Sequence, residues 1–353
     1  MGPGYQHAGW AVNATTKARY GQNAQFVACR AVLNRESLSR MSPTSITLPK
    51  STLSRLWLAM IGQRTNRIEC PMETDMKGRF ALVTGATRGV GRETARGLLQ
   101  RGIQTILTAR DFGKLEQLKR EFLKEGFPES LLHGACLDLS DLDSLRDIET
   151  QLSKILQGGK ISILIENAGV WPKRFETSKQ GYEIAFATNV LGHFVLRKRL
   201  LSAQLLATDA RIVIVTGDIY ILEKESRWDL KYQNAQGGMK AYCQSKLGNI
   251  WVAKELQRQY PEMTVAVVHP GVIASELVNS GKVGAVFKSL LMIDTAQGAQ
   301  MSLYCATQND IARGGYYHNA VGLAEFPKGD PAAHIEASVA YFASIDRLAG
   351  AAS

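Results

Sequence analysis

The fold class predicted by the sequence is a single doubly wound α/β domain: a parallel sheet with helices on both faces. Three observations carry this reading: short apolar runs alternating with helical segments from residue 79 onward, a glycine-rich turn directly after the first run, and no internal repeat or second block of alternation. Phe80-Ala81-Leu82-Val83-Thr84 is continuous enough in apolar character for a buried strand. The turn Thr84-Gly85-Ala86-Thr87-Arg88-Gly89-Val90-Gly91 then leads into a helix through about Leu99. A second strand, Thr105-Ile106-Leu107-Thr108-Ala109, precedes a charged helix near residues 111–125. The pattern continues with a strand ending at Leu137-Asp138, a helix from Asp141 and the strand Ile161–Ile165. A long helix around 178–203 leads to the strand Arg211–Val215, and a helix bearing Tyr242 precedes the strand Thr264–Val268.

Composition sets the outer bounds. At 353 residues, 45% hydrophobic and 21% charged, the chain can bury a sizeable core. Its net charge of +10 is unevenly spread: residues 1–67 hold nine basic side chains against one acid, Glu36, and the other 286 residues carry only +2. The folded part is therefore close to neutral, and a nucleic-acid partner is not expected. Five scattered cysteines without C-x-x-C spacing argue against a disulfide framework or a zinc site and for a reducing intracellular compartment, mitochondrial or cytoplasmic. No apolar run reaches 18 residues, so no membrane span is expected.

Residues 1–75 show no sustained helical or strand period and read as a basic N-terminal extension, with residues 76–353 as the dinucleotide-binding domain. Three readings of the extension stay open: an Arg- and Ser-rich targeting segment, a disordered tail, or a stretch ahead of a working start at Met76. Within it, Leu56-Trp57-Leu58-Ala59-Met60-Ile61 is apolar enough for one short anchoring or docking turn, or for a local contact.

The glycine turn carries the first chemistry. Gly85, Gly89 and Gly91 follow a strand and open a helix, where the backbone must turn sharply and approach a pyrophosphate while free helix N–H groups bind the phosphates. The second strand ends in Ala109 followed by Arg110, and Arg88 lies inside the turn. Two guanidiniums suit the 2′-phosphate of NADP better than the bare ribose of NAD, although Asp111 could pair with Arg110 instead.

The second chemistry is Tyr242-Cys243-Gln244-Ser245-Lys246. Residues four apart share a helix face, so Tyr242 and Lys246 point the same way. An ammonium beside a phenol is expected to lower the tyrosine pKa, which suits proton transfer at a substrate oxygen while a nicotinamide moves the hydride.

Taken with Asp138-Leu139, Asn167-Ala168-Gly169, Asn189 and Pro270-Gly271 in order, residues 79 to about 320 resemble the short-chain dehydrogenase/reductase family. Asn189-Val190-Leu191-Gly192-His193-Phe194, His269-Pro270-Gly271-Val272 and Gly298-Ala299-Gln300 resemble its retinol dehydrogenase-like and WW-domain oxidoreductase-like branch, without a WW domain. The resemblance implies a Rossmann-type fold, with Tyr242, Lys246 and Asn189 catalytic. It also implies a cofactor held by Gly85, Thr87, Arg88, Gly89, Val90, Gly91, Arg110, Asp138, Leu139, Asn167, Ala168, Gly169, Tyr242, Lys246, Pro270, Gly271, Val272 and Ser275. Asp138 would hold the adenine beside Leu139, Asn167 would stabilise the central strand, and Ala168-Gly169 would let the cofactor lie close. Asn189 would interrupt its helix so that a carbonyl holds a water; the plainer alternative is an asparagine bonded to its own backbone. Lys246 would bind the nicotinamide ribose, and Ser275 the carboxamide. His193 and His269 read as structural.

The chain departs from the family at three places. Val215-Thr216-Gly217-Asp218 puts glycine where a serine normally donates to the substrate oxygen, leaving Thr216, Asp218 (if protonated) and Tyr220 as candidate replacements. Glu166 stands for an asparagine before Asn167, at what reads as a tolerant outer position. Glu223–Met239 is a long polar insertion, either a substrate lid or a surface loop. The segment Glu276–Ile293, with Val278, Val283, Val286, Phe287, Leu290, Leu291 and Met292, either lines a pocket for a lipophilic alcohol or carbonyl of retinoid, steroid or lipid-aldehyde type, or packs in the core or against a second copy, which leaves a homodimer open. The expected function is NADP(H)-dependent interconversion of a carbonyl and an alcohol, with NAD the less favoured cofactor and no metal. The alternative is a weakly active or inactive NADP(H)-binding protein with a sensing or scaffolding role.

Overall fold

The computed structural model describes residues 44–66, 68–223, 237–273 and 292–351. The described residues lie within one compact unit spanning Pro43–Ser353. They build a nine-stranded sheet in the order β1-β9-β8-β7-β6-β5-β2-β3-β4. The strands are β1 Ile46–Thr47, β2 Phe80–Val83, β3 Gln104–Ala109, β4 Leu132–Cys136, β5 Ile161–Glu166, β6 Leu206–Val215, β7 Thr264–His269, β8 Tyr316–His318 and β9 Gly322–Glu325. Every pairing is parallel except β8 with β9. All six residues of β5 are buried, as a strand covered on both faces requires.

Chain order explains where a ligand can bind. From β2 the chain steps outward to β3 and β4, then crosses back to β5 and proceeds the other way through β6 and β7. The crevice outside the carboxyl ends of β2 and β5 is therefore the topological switch point. Because these strands run parallel, the segments that follow them, Gly85–Gly91, Arg110, Asp138, Asn167–Gly169, Thr216–Gly217 and Pro270–Val272, all emerge at one edge.

The helices are α1 Thr52–Trp57, α2 Gly89–Gln100, α3 Phe112–Lys124, α4 Ile148–Leu156, α5 Gly192–Ser202, α6 Gly237–Gln259, α7 Thr295–Thr307 and α8 Ile335–Ala351. Side-chain caps mark several starts in the way the residue types predict: Ser51 caps α1, Asp111 caps α3 and Asp294 caps α7. The long helix expected around 178–203 is shorter and interrupted. It begins at Ile184–Phe186, widens to a π turn at Ala187–Leu191 and continues as α5.

The largest difference from the sequence reading lies ahead of Met76. Residues 44–66 and 68–75, placed by their lack of periodicity in the extension, belong to the fold. Strand β1 extends the sheet by pairing with β9. Helix α1 continues through a π turn, Leu58–Gly62, to Gln63–Thr65. Beyond it, the Cys70 and Pro71 carbonyls accept hydrogen bonds from Arg101, and Thr74 donates to the Thr307 carbonyl. The segment is anchored by buried polar contacts and backbone pairing, so no apolar period announces it. The apolar run Leu56–Ile61 forms the end of α1 and its π turn, with Leu58 and Ala59 buried.

Arg55 is the charged anchor of this segment, 2% exposed. Its Nε and Nη2 reach the two oxygens of Asp218 at 3.0 and 3.2 Å, and Nη1 reaches Asp330 at 2.9 Å. Nη2 also donates to the Tyr220 hydroxyl at 2.7 Å, which in turn donates to Asp330 at 3.0 Å. Tyr316 donates to Asp218 from the far side. Three chain segments distant in sequence thus meet on one guanidinium, whose planar fork suits bidentate carboxylate pairing.

Candidate active site

The glycine turn is built as a cradle. Gly89 sits at φ +60° with open space where a Cβ would project, so a side chain there would be strained and would enter the volume in front of the helix N-terminus. At Gly91 a Cβ would fall 2.3 Å from Asn167 Nδ2 and 2.4 Å from the Gly85 carbonyl oxygen. The turn can therefore press against the loop after β5 only with glycine at that position. Asn167 donates to the Thr84 carbonyl at 3.0 Å, and the Thr84 hydroxyl accepts the main-chain N–H groups of Asn167 and Ala168, each at 2.9 Å. An open, backbone-lined concavity at a helix N-terminus fits a dinucleotide pyrophosphate, and Gly85, Gly89, Val90 and Gly91 are the residues that would hold it.

Around the cradle, Thr87 is half-buried, while Arg88, which precedes α2 as its N-cap residue, and Arg110 after β3 are exposed. Asp111 caps α3 through the Lys114 N–H at 3.0 Å, which is the role its carboxylate plays here. Asp138 is half-buried, its Oδ1 accepting from the Ser140 N–H and hydroxyl at 2.9 and 2.7 Å, and Leu139 is buried beside it. Ser275 lies outside the described residues, as do Glu276–Leu291 of the expected pocket segment and residues 224–236 of the insertion. Met292 is half-buried, and Ile293 is buried in a bridge with Ile273.

Tyr242 and Lys246 project from one face of α6, as their spacing predicts. The Lys246 ammonium lies 5.5 Å from the Tyr242 ring centroid and donates to the Val215 carbonyl at 3.2 Å. A Cβ on Gly169 would be 3.4 Å from Asn189 Oδ1 and 3.7 Å from Lys246 Nζ, so these groups converge on the loop after β5. Asn189, 1% exposed, lies in the π turn. Its Oδ1 accepts the Val170 N–H at 2.8 Å, and its Nδ2 donates to the Val170 carbonyl at 3.1 Å and to the Ser245 hydroxyl at 2.9 Å. The side chain thus ties the β5 loop to α6 and does not bond its own backbone. His193 sits 3.2 Å from the Asn189 carbonyl through Nδ1 and 2.9 Å from the Thr84 hydroxyl through Nε2. With the carbonyl accepting, the proton belongs on Nδ1.

The electrostatics differ from the simple expectation. Burial, with the neighbouring Cys243, pushes the Tyr242 phenol above its ordinary range, and Lys246 does not lower it. Burial also draws Lys246 down to about 8. The ammonium is held against a main-chain carbonyl and the ring of the tyrosine, and two groups desolvated together both favour their neutral forms.

Two environments were not legible from the motifs. Trp171 stacks on Tyr242, ring centroids 4.9 Å apart and planes inclined by 4°, in an aromatic pair. Its one signal was a lone tryptophan shortly after Asn167-Ala168-Gly169. Glu166, read as a tolerant outer position, is 3% exposed and ion-paired with Arg197, itself 2% exposed. The substitution is matched by a buried cation, since an unpaired carboxylate there would be costly.

None of the three candidates replaces the missing serine. The Thr216 hydroxyl donates to the Lys246 carbonyl at 2.6 Å. Burial opposes ionisation of Asp218, but the Arg55 guanidinium paired with both its oxygens outweighs burial and holds the carboxyl well below the usual range, so it is no proton donor. Tyr220 is fully buried within the Arg55 cluster. At Gly217 itself the backbone is extended, and a Cβ would meet nothing nearer than 3.9 Å.

The comparisons with known proteins agree with this geometry. The short chain dehydrogenase family model matches residues 79–282. Mouse (Mus musculus) retinol dehydrogenase 12 is 33% identical over 247 residues, covering 69% of this chain and 77% of that protein. Human (Homo sapiens) retinol dehydrogenase 13 is 32% identical over 275 residues, covering 74% and 82%. An uncharacterized protein from Mycobacterium Paratuberculosis shares the fold at TM-score 0.62 and 27% identity, covering 78% of this chain and 96% of that one. A blue fluorescent protein from a metagenomic library, in complex with NADPH, matches at TM-score 0.55 and 21% identity over 70% and 98%. Fold and site therefore define an NAD(P)-dependent oxidoreductase acting on CH–OH groups, interconverting a carbonyl and an alcohol. The chain belongs to the short-chain dehydrogenase/reductase family, in its retinol dehydrogenase-like branch.

The lowered Lys246 pKa has a measurable sign. Below about 8 the lysine is protonated folded or unfolded, and the fold carries the whole cost of burying it; between about 8 and the unfolded value of 10.5 only the unfolded chain keeps the proton. Stability therefore rises with pH across that window, by roughly 3 kcal/mol. Urea unfolding of the cofactor-free protein should show this rise relative to Lys246→Met, and parallel pH profiles would contradict it.

Proposed function

We propose that this protein is an NADP(H)-dependent reductase of lipophilic carbonyl compounds in which Tyr242 delivers the proton. The observation that carries the reading is the convergence of Tyr242, Lys246 and Asn189 beside Gly169, at the edge where the phosphate cradle opens. When bound, the cofactor supplies the hydride. Tyr242, kept protonated at neutral pH by burial, gives its proton to the substrate oxygen as the carbonyl carbon is reduced, leaving an alcohol. Lys246, with a pKa of about 8, is matched to proton exchange near neutral pH. Asn189 keeps α6 in register with the loop after β5 through Ser245 and Val170.

NADP is favoured over NAD by two cations at the adenosine end, Arg88 in the turn and exposed Arg110, and by the use of Asp111 as a helix cap. A lipophilic substrate is supported by the apolar surroundings of Tyr242. Trp171 lies flat on its ring, Phe175 and Leu222 stay exposed on segments adjoining α6, and Met239 is exposed in its first turn. Relatives named retinol dehydrogenases point to the same class. Among the described residues the four cysteines are free and three are buried, in keeping with a reducing compartment.

A second reading, a cofactor-binding protein with little turnover, is favoured by one observation: among the described residues, none of the three candidates Thr216, Asp218 and Tyr220 takes over the donor role at Gly217. Removing one such donor typically slows a reaction by about 10²–10³.

NADPH oxidation by the full chain against a panel of aldehydes and ketones tests the proposal. Activity should appear and vanish in Tyr242→Phe; NADPH binding without turnover on any panel member would favour the second reading. Arg110→Asp should lower the preference for NADPH over NADH by about tenfold or more, the scale of a charge-assisted contact, and an unchanged preference would remove the argument for NADP. Gly217→Ser, for which the extended backbone leaves room, should raise kcat by about 10²–10³; no gain would mean that the substrate oxygen is already supported by another group.

A further inference from the structure

The segment ahead of the family's span reaches both loops that frame the site. Arg55 grips Asp218, next to Gly217. Eight positions on, Gln63 is 1% exposed and pairs with the main chain of Val272 in both directions. Its Oε1 accepts the Val272 N–H at 2.9 Å, and its Nε2 donates to the Val272 carbonyl at 3.3 Å. Asn319 adds a third bond, donating to Gln63 Oε1 at 3.3 Å. A side-chain amide here does what a neighbouring strand would do for Val272.

Local geometry explains how one short helix serves two loops. In a regular α-helix, side chains seven apart face the same way, and eight apart are offset by most of a quarter turn. The π turn Leu58–Gly62 takes up one extra residue, which brings Arg55 and Gln63 onto one face. The two loops they hold are themselves bonded, because the Asp218 N–H donates to His269 Nδ1 at 3.2 Å.

We infer that Gln63 is a positioning residue for the cofactor loop, carried on a strap, residues 44–66, that Arg55 locks to the body of the enzyme. The inference rests on the reading above that Pro270-Gly271-Val272 helps to hold the cofactor, on the segment leading to Ser275, the residue expected at the nicotinamide carboxamide. Losing the amide leaves the Val272 N–H and carbonyl short of one partner each and frees that loop, whereas the glycine cradle and Arg110 are held by contacts that do not involve the strap.

The two halves of the cofactor can therefore be separated by binding. The test is calorimetric titration of the full chain and of Gln63→Leu with NADPH and with adenosine 2′,5′-bisphosphate, which contains only the adenosine end. The expected result is a rise of about tenfold in the NADPH Kd, the scale of two lost hydrogen bonds, with the bisphosphate Kd unchanged. Unchanged affinity for both compounds, or equal loss for both, would overturn the inference. Should Gln63→Leu not fold, Gln63→Asn, which keeps the amide but is one methylene too short, allows the same comparison. If the wild-type chain bound neither compound, the cofactor reading would fall and the inference with it, an outcome distinct from an unselective variant.

Discussion

One guanidinium carries the arrangement on which this site depends. Arg55 is the cation within hydrogen-bond reach of two carboxylates, Asp218 and Asp330, in a region almost without solvent. Breaking such a pair from one side typically costs about 3–5 kcal/mol, because a charge is left buried without compensation. Tyr220 and Tyr316 complete the coordination of the carboxylates, and His318 Nε2 stands 3.6 Å from Asp218. Burial holds His318 down to about 3, so it is neutral there. The cluster fastens the end of β6, the entry to α8 and the segment ahead of β2 to one another. In doing so it fixes the backbone on which Gly217 lies.

A second network fixes Tyr242, Lys246 and Asn189 relative to the cradle. Thr84, at the end of β2, supports the loop after β5 through Asn167 and Ala168 and meets His193. His193 reaches the carbonyl of Asn189, and Asn189 reaches Ser245, one residue before Lys246. The cradle and the helix bearing Tyr242 are thus coupled by a short chain of buried hydrogen bonds, with the Glu166–Arg197 pair beside them. Chains of paired buried polar groups help to specify a single geometry.

The absence of a hydroxyl at Gly217 gives the site its individual character. Its neighbours are committed elsewhere: Thr216 to the carbonyl of Lys246, Asp218 to Arg55 and Tyr220 to Asp330. The group that does lie against Tyr242 is aromatic: Trp171 stacks on its ring.

The alternation of strands and helices, the cradle and the Tyr242–Lys246 pair were legible because each is local. Strand burial follows from continuous apolar runs, the turn needs glycine at fixed offsets, and residues four apart share a helix face. Strand β1 and the β8–β9 pair were not legible, because strands of two to four residues held by backbone pairing carry too little pattern. Nor were the roles of Arg55 and Gln63, since a lone arginine or glutamine in a basic stretch looks like a solvated side chain until its partners, more than 150 residues away, are brought to it. Tertiary structure alone decided three further points. It turned Thr216, Asp218 and Tyr220 away from the donor role, it raised the Tyr242 pKa where proximity to Lys246 predicted the opposite, and it paired Glu166 with Arg197. Each depends on burial and on partners distant in sequence, which local spacing does not encode.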